Sequence, residues 1–391
     1  MYSKLGYSLN NNILEGSDSV SKKIMVAGHI CLDITPVFPE KKVEAIEHFL
    51  TPGKLLHTKE AVVHTGGAVA NTGLALKVLG ADVSLVGKIG NDDFGKIVLE
   101  KMKEHNAEKN MLVCEGETTS YTVVLAIPGI DRIFLHNPGA NDTFKLEDIL
   151  DDTLEDTALF HFGYPPLMKK MYENEGEELV KLMKYMKSRE IATSLDMAMS
   201  EQKEENRVNW HQILKEALPY VDFFVPSIEE LCCMLDQERY FEWQKRAAGK
   251  DITSVLDIAT DVVPIANQCM ELGAKVLIIK CGSLGIYYQV ADSPELQKIG
   301  AKIQLDVDKW ANKTGFEKSY IPDQILSGTG AGDTSIAAFL KAVLDGYSVE
   351  KCLQYATATG ANCVAAYDAL SGLKSFEEID RKIENGWKKN N

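Results

Sequence analysis

The residues best suited to do chemistry in this chain stand together between Ile325 and Leu340, I-L-S-G-T-G-A-G-D-T-S-I-A-A-F-L. An apolar run gives way to Gly328-Thr329-Gly330-Ala331-Gly332, and Asp333 follows at the opening of a stretch that reads as a helix from Ser335 to Leu344. Three glycines in five residues permit positive φ angles and a close backbone approach to a ligand. A helix that starts there turns its unpaired N–H groups, and the positive end of its dipole, toward the same point. The loop is suited to hold an anion. Asp333 has no place in such a site unless it takes a proton from a nucleophile lying beside that anion. The same pattern also serves as an ordinary tight turn with an aspartate N-cap, so the rest of the chain has to decide.

The elements that must position this loop read as an α/β chain. Lys23 to Gly28 forms a buried first strand, and the chain leaves it through His29-Ile30-Cys31-Leu32-Asp33, which puts Asp33 at the carboxyl-end crevice of an open sheet. A carboxylate there accepts hydrogen bonds from neighbouring hydroxyls of a polyol. Val62 to Asn71 runs into an Ala/Leu-rich helix closed by Gly80; Gly66 and Gly67 offer bare backbone at its start, and Asn71 offers both a donor and an acceptor. From Phe160 onward strand and helix alternate, which implies a largely parallel sheet covered by helices. The acids 33, 196, 230 and 333 all fall at strand ends or helix starts, on one edge of such a sheet. Gly90 to Ile97 nearly spells a P-loop, but Ile97 stands where the metal-binding hydroxyl belongs and the loop carries Asp92 and Asp93. It fits better as a loop whose acceptors, Asp92 among them, meet substrate hydroxyls. Residues 36–60 and 118–144 read as a small β-layer able to close over a substrate, with Arg132, Asn141, His29 and His136 near the expected pocket. Residues 1–22 read as a polar extension and 237–263 as a charged surface insertion in which Trp243 packs on the body or on a partner subunit.

Bulk properties narrow the classes. The 391 residues are 45% hydrophobic and 25% charged, an ordinary globular balance. With 42 Lys+Arg against 57 Asp+Glu the formal charge is −15, which argues against nucleic acid or an anionic membrane as the main partner. Eight scattered cysteines without a C-x-x-C pair suit free thiols in a reducing cytoplasm. The eight histidines have no zinc-ligand spacing, no apolar run reaches eighteen residues, and the polar N-terminus does not read as a signal peptide.

With these stretches in order the chain resembles the ribokinase-like sugar kinases of the phosphofructokinase B family over about residues 23 to 375. Two separated signatures carry the resemblance: Gly66-Gly67-Ala68-Val69-Ala70-Asn71 with Gly87, Gly90, Asp92 and Gly95, and then Thr329-Gly330-Ala331-Gly332-Asp333. It implies an αβα sandwich with a mainly parallel sheet and a β lid, ATP as donor, Mg²⁺, and a hydroxyl of a sugar, sugar acid or nucleoside as acceptor. By the same resemblance Asp333 matches the general base, and the amides of Gly330, Ala331 and Gly332 match the hole for the transferring group. Asp33, Gly66, Gly67 and Asn71 match acceptor-binding positions. Lys280, Gly282, Gly285 and Thr329 match nucleotide contacts, as do Gly330 and Gly332, and Glu230 matches the acid that organises Mg²⁺. Three departures stand out. Ser227 replaces the Asn that heads the N-x-x-E motif. Ser327-Gly328-Thr329 replaces Asp-Thr-Thr, whose Asp builds the monovalent-cation site of potassium-activated relatives. Thr334-Ser335 replaces the Ala-Phe after the base. Ser227 and the altered Ser327-Gly328 motivate an alternative, a binding protein that keeps the fold without efficient transfer. A dehydrogenase is set aside because Gly28-His29-Ile30-Cys31 lacks the dinucleotide fingerprint. Bare lid edges point to a homodimer through the lid.

Overall fold

The first strand alternates two apolar sets, Ile24 and Val26 on one face and Met25 and Ala27 on the other, and each set enters a different hydrophobic core. A strand apolar on both faces belongs in the middle of a sheet covered on both sides. The computed structural model, which describes residues 22–39, 46, 49–129, 133–199 and 208–390, places it there. In chain order the strands are β1 (Lys23–Gly28), β2 (Cys31–Pro36), β3 (Ala61–Gly66), β4 (Val83–Gly90), β5 (Leu112–Cys114), β6 (Tyr121–Leu125), β7 (Ile133–Asn137), β8 (Thr157–Gly163), β9 (Ala192–Leu195), β10 (Phe223–Phe224), β11 (Val276–Lys280), β12 (Gly285–Val290) and β13 (Thr314–Lys318). The main sheet runs β13-β12-β11-β10-β9-β8-β1-β4-β5. It is parallel from β5 through β11 and antiparallel at β12 and β13. Helices Ala68–Val78, Ala331–Leu344 and Val349–Cys363 cover one face, and Glu177–Ser188, Trp210–Ala217, Ile228–Leu235 and Val263–Glu271 cover the other. The expected αβα sandwich is present.

A second sheet, β3-β2-β6-β7, forms the lid, with β2 antiparallel to β3, parallel to β6, and β6 antiparallel to β7. Its strands correct the expected boundaries. Residues 118–144 do supply β6 and β7, but the other pair, β2 and β3, lies on either side of residues 37–60, and the described part of that stretch carries no strand. Only His29 and Ile30 separate β1 from β2, so Asp33 sits on a lid strand rather than on the carboxyl edge of the main sheet. Residues 1–21 of the expected extension lie outside the described residues.

The segment 237–263 is not a surface addition. Helix Gln237–Ala247 buries Trp243 completely, and its indole Nε1 donates to Asp261 Oδ1 at 3.0 Å while Arg246 pairs with the other oxygen at 2.5 Å. Truncating a buried Trp costs about 3–5 kcal/mol, which marks the segment as part of the body. Its charged face misleads because only the stripe of Trp243 and Ala247, one helical turn apart, turns inward.

Candidate active site

Gly330 ends the glycine turn in a left-handed conformation, φ 74°, and the helix Ala331–Leu344 begins immediately after it. A Cβ at Gly330 would lie 2.5 Å from the Cβ of Ala369, so the position excludes a side chain on both counts. The first regular helical amide is Thr334, which donates to Gly330 O at 2.9 Å. The amides of the first turn before it have no carbonyl within the helix to meet. Asp333 lies in this turn, half-buried, with a different donor on each oxygen. Asn71 Nδ2, from helix Ala68–Val78, donates to Oδ2 at 2.9 Å, and the hydroxyl of Tyr164, just past β8, donates to Oδ1.

Three more strand ends deliver charge beside it. Asp196, just past β9, is fully buried and accepts from Lys280 Nζ on both oxygens, at 2.8 and 2.9 Å. Glu230 opens helix Ile228–Leu235, where its carboxylate accepts from Ser227 N–H at 2.7 Å while Ser227 Oγ accepts from Glu230 N–H at 3.2 Å. Burial raises the Asp196 carboxyl, with the Glu230 and Asp333 charges adding to it against Lys280, and burial likewise raises Glu230. Burial opposes the charge of Lys280, but Asp196, Glu230 and Asp333 together outweigh it and hold the ammonium above its ordinary range. Three carboxylates facing one ammonium leave an excess of negative charge beside a helix N-terminus, an excess that a divalent cation would offset.

On the lid side, a cleft of roughly 1260 Å³ is lined by Asp33, Asn71, the turn Ser327 to Gly330, and the loop Tyr367 to Ser371. Asp33 accepts from Cys31 Sγ at 3.2 Å. Burial raises the Asp33 carboxyl, the Asp333 charge adds to this, and the hydrogen bonds from Cys31 and Thr122 pull it back. Gly66 leaves room for that carboxylate: a Cβ there would lie 2.3 Å from Asp33 Oδ2. Gly67, at φ 87°, passes close to His29, where a Cβ would meet the carbonyl oxygen at 2.4 Å. The predicted set Asp33, Gly66, Gly67, Asn71, Thr329, Gly330, Ala331, Gly332 and Asp333 is therefore one neighbourhood, with Lys280 and Glu230 behind it.

Other expected site residues have structural tasks of their own. Asp92 caps helix Asp93–Glu104, accepting from Gly95 N–H at 2.8 Å and from Thr119 N–H and Oγ1 at 2.7 Å each, and those bonds outweigh burial in holding its carboxyl low. Asn141 is wholly buried and bridges the main chain of Ile30, accepting from its N–H at 3.2 Å and donating to its carbonyl at 2.9 Å. It staples the link between β1 and β2 and does not face the cleft. Packing also requires glycine at 282 and 285, since a Cβ would meet Thr253 Oγ1 at 2.5 Å and Glu317 O at 2.1 Å respectively. Arg132 lies outside the described residues. Ser227 does not displace Glu230; a serine N-cap with glutamate three residues on makes a capping box that fixes the acid.

The sequence reading passed over Tyr164 and the loop 367–371, and gave Asp196 no role beyond its place at a strand end. An aromatic residue one position past a strand-ending glycine, F-G-Y, is the only local trace of Tyr164.

Comparison with known proteins agrees with this geometry. The model of the pfkB family carbohydrate kinases matches residues 21–375, and the chain belongs to that family. A sugar kinase of Archaeoglobus fulgidus whose activity is uncharacterised is 23% identical over 299 residues, 76% of this chain and 97% of that protein. Arabidopsis thaliana ribokinase, solved with ribose and ATP, superposes with a TM-score of 0.67 at 20% identity, covering 92% of this chain and 98% of its own. An E. coli relative solved with ATP and Mg²⁺ gives 0.62 at 19% identity, covering 93% and 99%. The family is one of phosphotransferases that act on carbohydrate hydroxyls.

Proposed function

We propose that the chain transfers the γ-phosphoryl group of ATP to a hydroxyl of a sugar held between the lid and the helix Ala331–Leu344. The observation that carries this reading is the placement of Asp333: a carboxylate in the first turn of a helix that opens on a glycine loop, near enough for its charge to act on Asp33, and bonded to Asn71, which lines the cleft with Asp33. ATP with Mg²⁺, when bound, supplies the phosphoryl group and spreads its charge over the metal. Among the described residues no cluster of His, Cys, Asp or Glu is arranged to hold a metal unaided. Glu230, anchored through Ser227, is the residue that would help hold a magnesium ion bound chiefly by water and phosphates.

The chain's own residues then have distinct tasks. Asp33 and Asn71 accept from and donate to the acceptor's hydroxyls and hold one of them against Asp333. Asp333 takes that hydroxyl's proton as the bond to phosphorus forms. The amides of Gly330 to Gly332 and the Lys280 ammonium receive the negative charge, so catalysis is mostly positioning and electrostatic stabilisation. The alternative of a non-catalytic binder rests on Ser227 and on Ser327-Gly328; the capping box at Ser227 speaks against the first ground, and the ADP-release screen tests the second.

The test is a coupled ADP-release screen over pentoses, hexoses, sugar acids and nucleosides, with and without potassium, on the parent protein and on Asp333→Asn. We expect one acceptor class to drive turnover and the variant to lose about 10²- to 10⁴-fold in kcat with ATP affinity retained. Near-parental turnover in Asp333→Asn would remove the base assignment. The potassium arm addresses the site altered at Ser327, whose Oγ accepts from Thr329 N–H at 3.2 Å as a turn contact.

We also propose a homodimer through the lid. β3 and β7 are the edges of that sheet, and Val62 and Leu135 on them are 41% and 54% exposed. A cytoplasmic location is supported by eight cysteines that are all free thiols. No described helix is long and apolar enough to cross a membrane.

A further inference from the structure

Counted outward from the link at Ile30, the lid changes character from one row of side chains to the next. Across β3, β2, β6 and β7 the first row is His64, Asp33, Thr122 and His136, paired strand to strand, with Thr122 Oγ1 3.0 Å from His136 Nδ1. The second row lies two residues further along each strand, on the same face and about 7 Å away. It consists of Val62, Thr35, Val124 and Phe134, and all four line the cleft together with Asp33 and His64. The first row is polar throughout, and the second is apolar but for one threonine. The helix Ala68–Val78 repeats the change: Asn71, bonded to Asp333, is followed on one helical face by Leu74 and Val78, about 5 and 10 Å along the axis, and both line the same cleft.

The second row is not what holds the lid to the body. That task falls to the opposite face of the sheet, where Ile34, Val63 and Tyr121 pack against the core and the ring of Tyr121 meets Phe94 edge-on at 5.4 Å. Val62 and Phe134 stay 41% and 57% exposed. Pairing of lid edges through main-chain groups leaves this face open. We propose that the acceptor is a glycosyl unit carrying an apolar aglycone: its ring hydroxyls meet the first row and Asn71, and the aglycone lies along the second row and the stripe of Leu74 and Val78. The inference rests on this cleft being the acceptor site. A bare sugar ring held at Asp33 covers the polar row alone, whereas a substituent on its far carbon reaches the row beyond. Apolar walls that begin where a few convergent polar groups end are the usual make-up of a site for a ligand with one polar and one apolar half. Burying one ring against such a row raises affinity by about 10- to 100-fold.

The experiment measures affinity by isothermal titration calorimetry without nucleotide, on pairs that differ only in the aglycone: ribose with inosine, and glucose with phenyl β-glucoside. In at least one pair the aglycone-bearing member should bind about 10- to 100-fold tighter. A gain with inosine identifies nucleosides as the source of the aglycone, and a gain with phenyl glucoside identifies other glycosides. Val124→Asn puts an amide into the second row, away from Asp33, and should cut that preference about tenfold, while Val124→Ile keeps it. Aglycone-bearing members that bind no tighter than their parent sugars in both pairs overturn the proposal, as does a Val124→Asn protein with its preference intact. The comparison on the parent protein decides the matter should the asparagine variant fold poorly. With no nucleotide present, the preference is read whether or not the protein transfers phosphate. Turnover of free sugars alone, in the ADP-release screen, removes this inference and leaves the kinase reading standing.

Discussion

At Gly66 the absent side chain is what seats the Asp33 carboxylate, since a Cβ would lie 2.3 Å from Oδ2. The obstacle is the tip of a side chain, so Gly66→Ala should move that carboxylate rather than unfold the lid. A charged hydrogen bond is worth about 1.5–3 kcal/mol, so the acceptor KM should rise by roughly 10- to 100-fold. The KM for ATP and the melting temperature should stay near the parent's. A parental acceptor KM would show that Asp33 does not touch the acceptor. At this scale the sequence was informative wherever chemistry is local. Gly330, Gly332 and Asp333 sit within four positions, and one turn of chain dictates their geometry. It was silent on what Asp333 meets, because Asn71 and Tyr164 are 262 and 169 positions away and come from different elements. Asp92 and Asn141 misled for a related reason. A polar side chain in a loop looks the same in sequence whether it meets a ligand or, as here, the amides of Thr119 and Ile30.

Among the elements, the lid was the hardest to place from the sequence. Its strands are half-exposed and five or six residues long, so apolar alternation is weak, and β2 follows β1 after only two residues, which makes the two read as one strand with a tail. The main sheet was legible because β8 and β11 are almost wholly buried and therefore almost wholly apolar. The lid edges also carry a prediction about assembly. If β7 pairs with a second copy, Leu135→Glu should shift the protein from dimer to monomer in sedimentation velocity, with little change in the melting temperature at high dilution. A parent protein that sediments as a monomer at every concentration would discard the lid dimer.

For the whole molecule, the buried histidines tie stability to pH. Burial holds His161, on β8, at about 3, against an ordinary value of 6.5. Because its folded-state value is depressed, the folded chain stays unprotonated while the unfolded chain takes up a proton as pH drops below 6.5. The stability it contributes is therefore complete above that pH and shrinks from 6.5 toward 3, by about 1.4 kcal/mol per pH unit. Buried acids such as Asp196 and Glu230, with raised values, act in the opposite direction over part of that range. The informative quantity is a difference: His161→Gln should lose stability between pH 6.5 and 4 less steeply than the parent, by about that slope, in urea titrations. Parallel curves would refute it. One feature reaches furthest across the molecule: only His29 and Ile30 join β1 to the lid, and Asn141 clamps Ile30 on both sides. So short a link, clamped at both its polar groups, ties Asp33, three residues beyond Ile30, to the main sheet at a fixed reach.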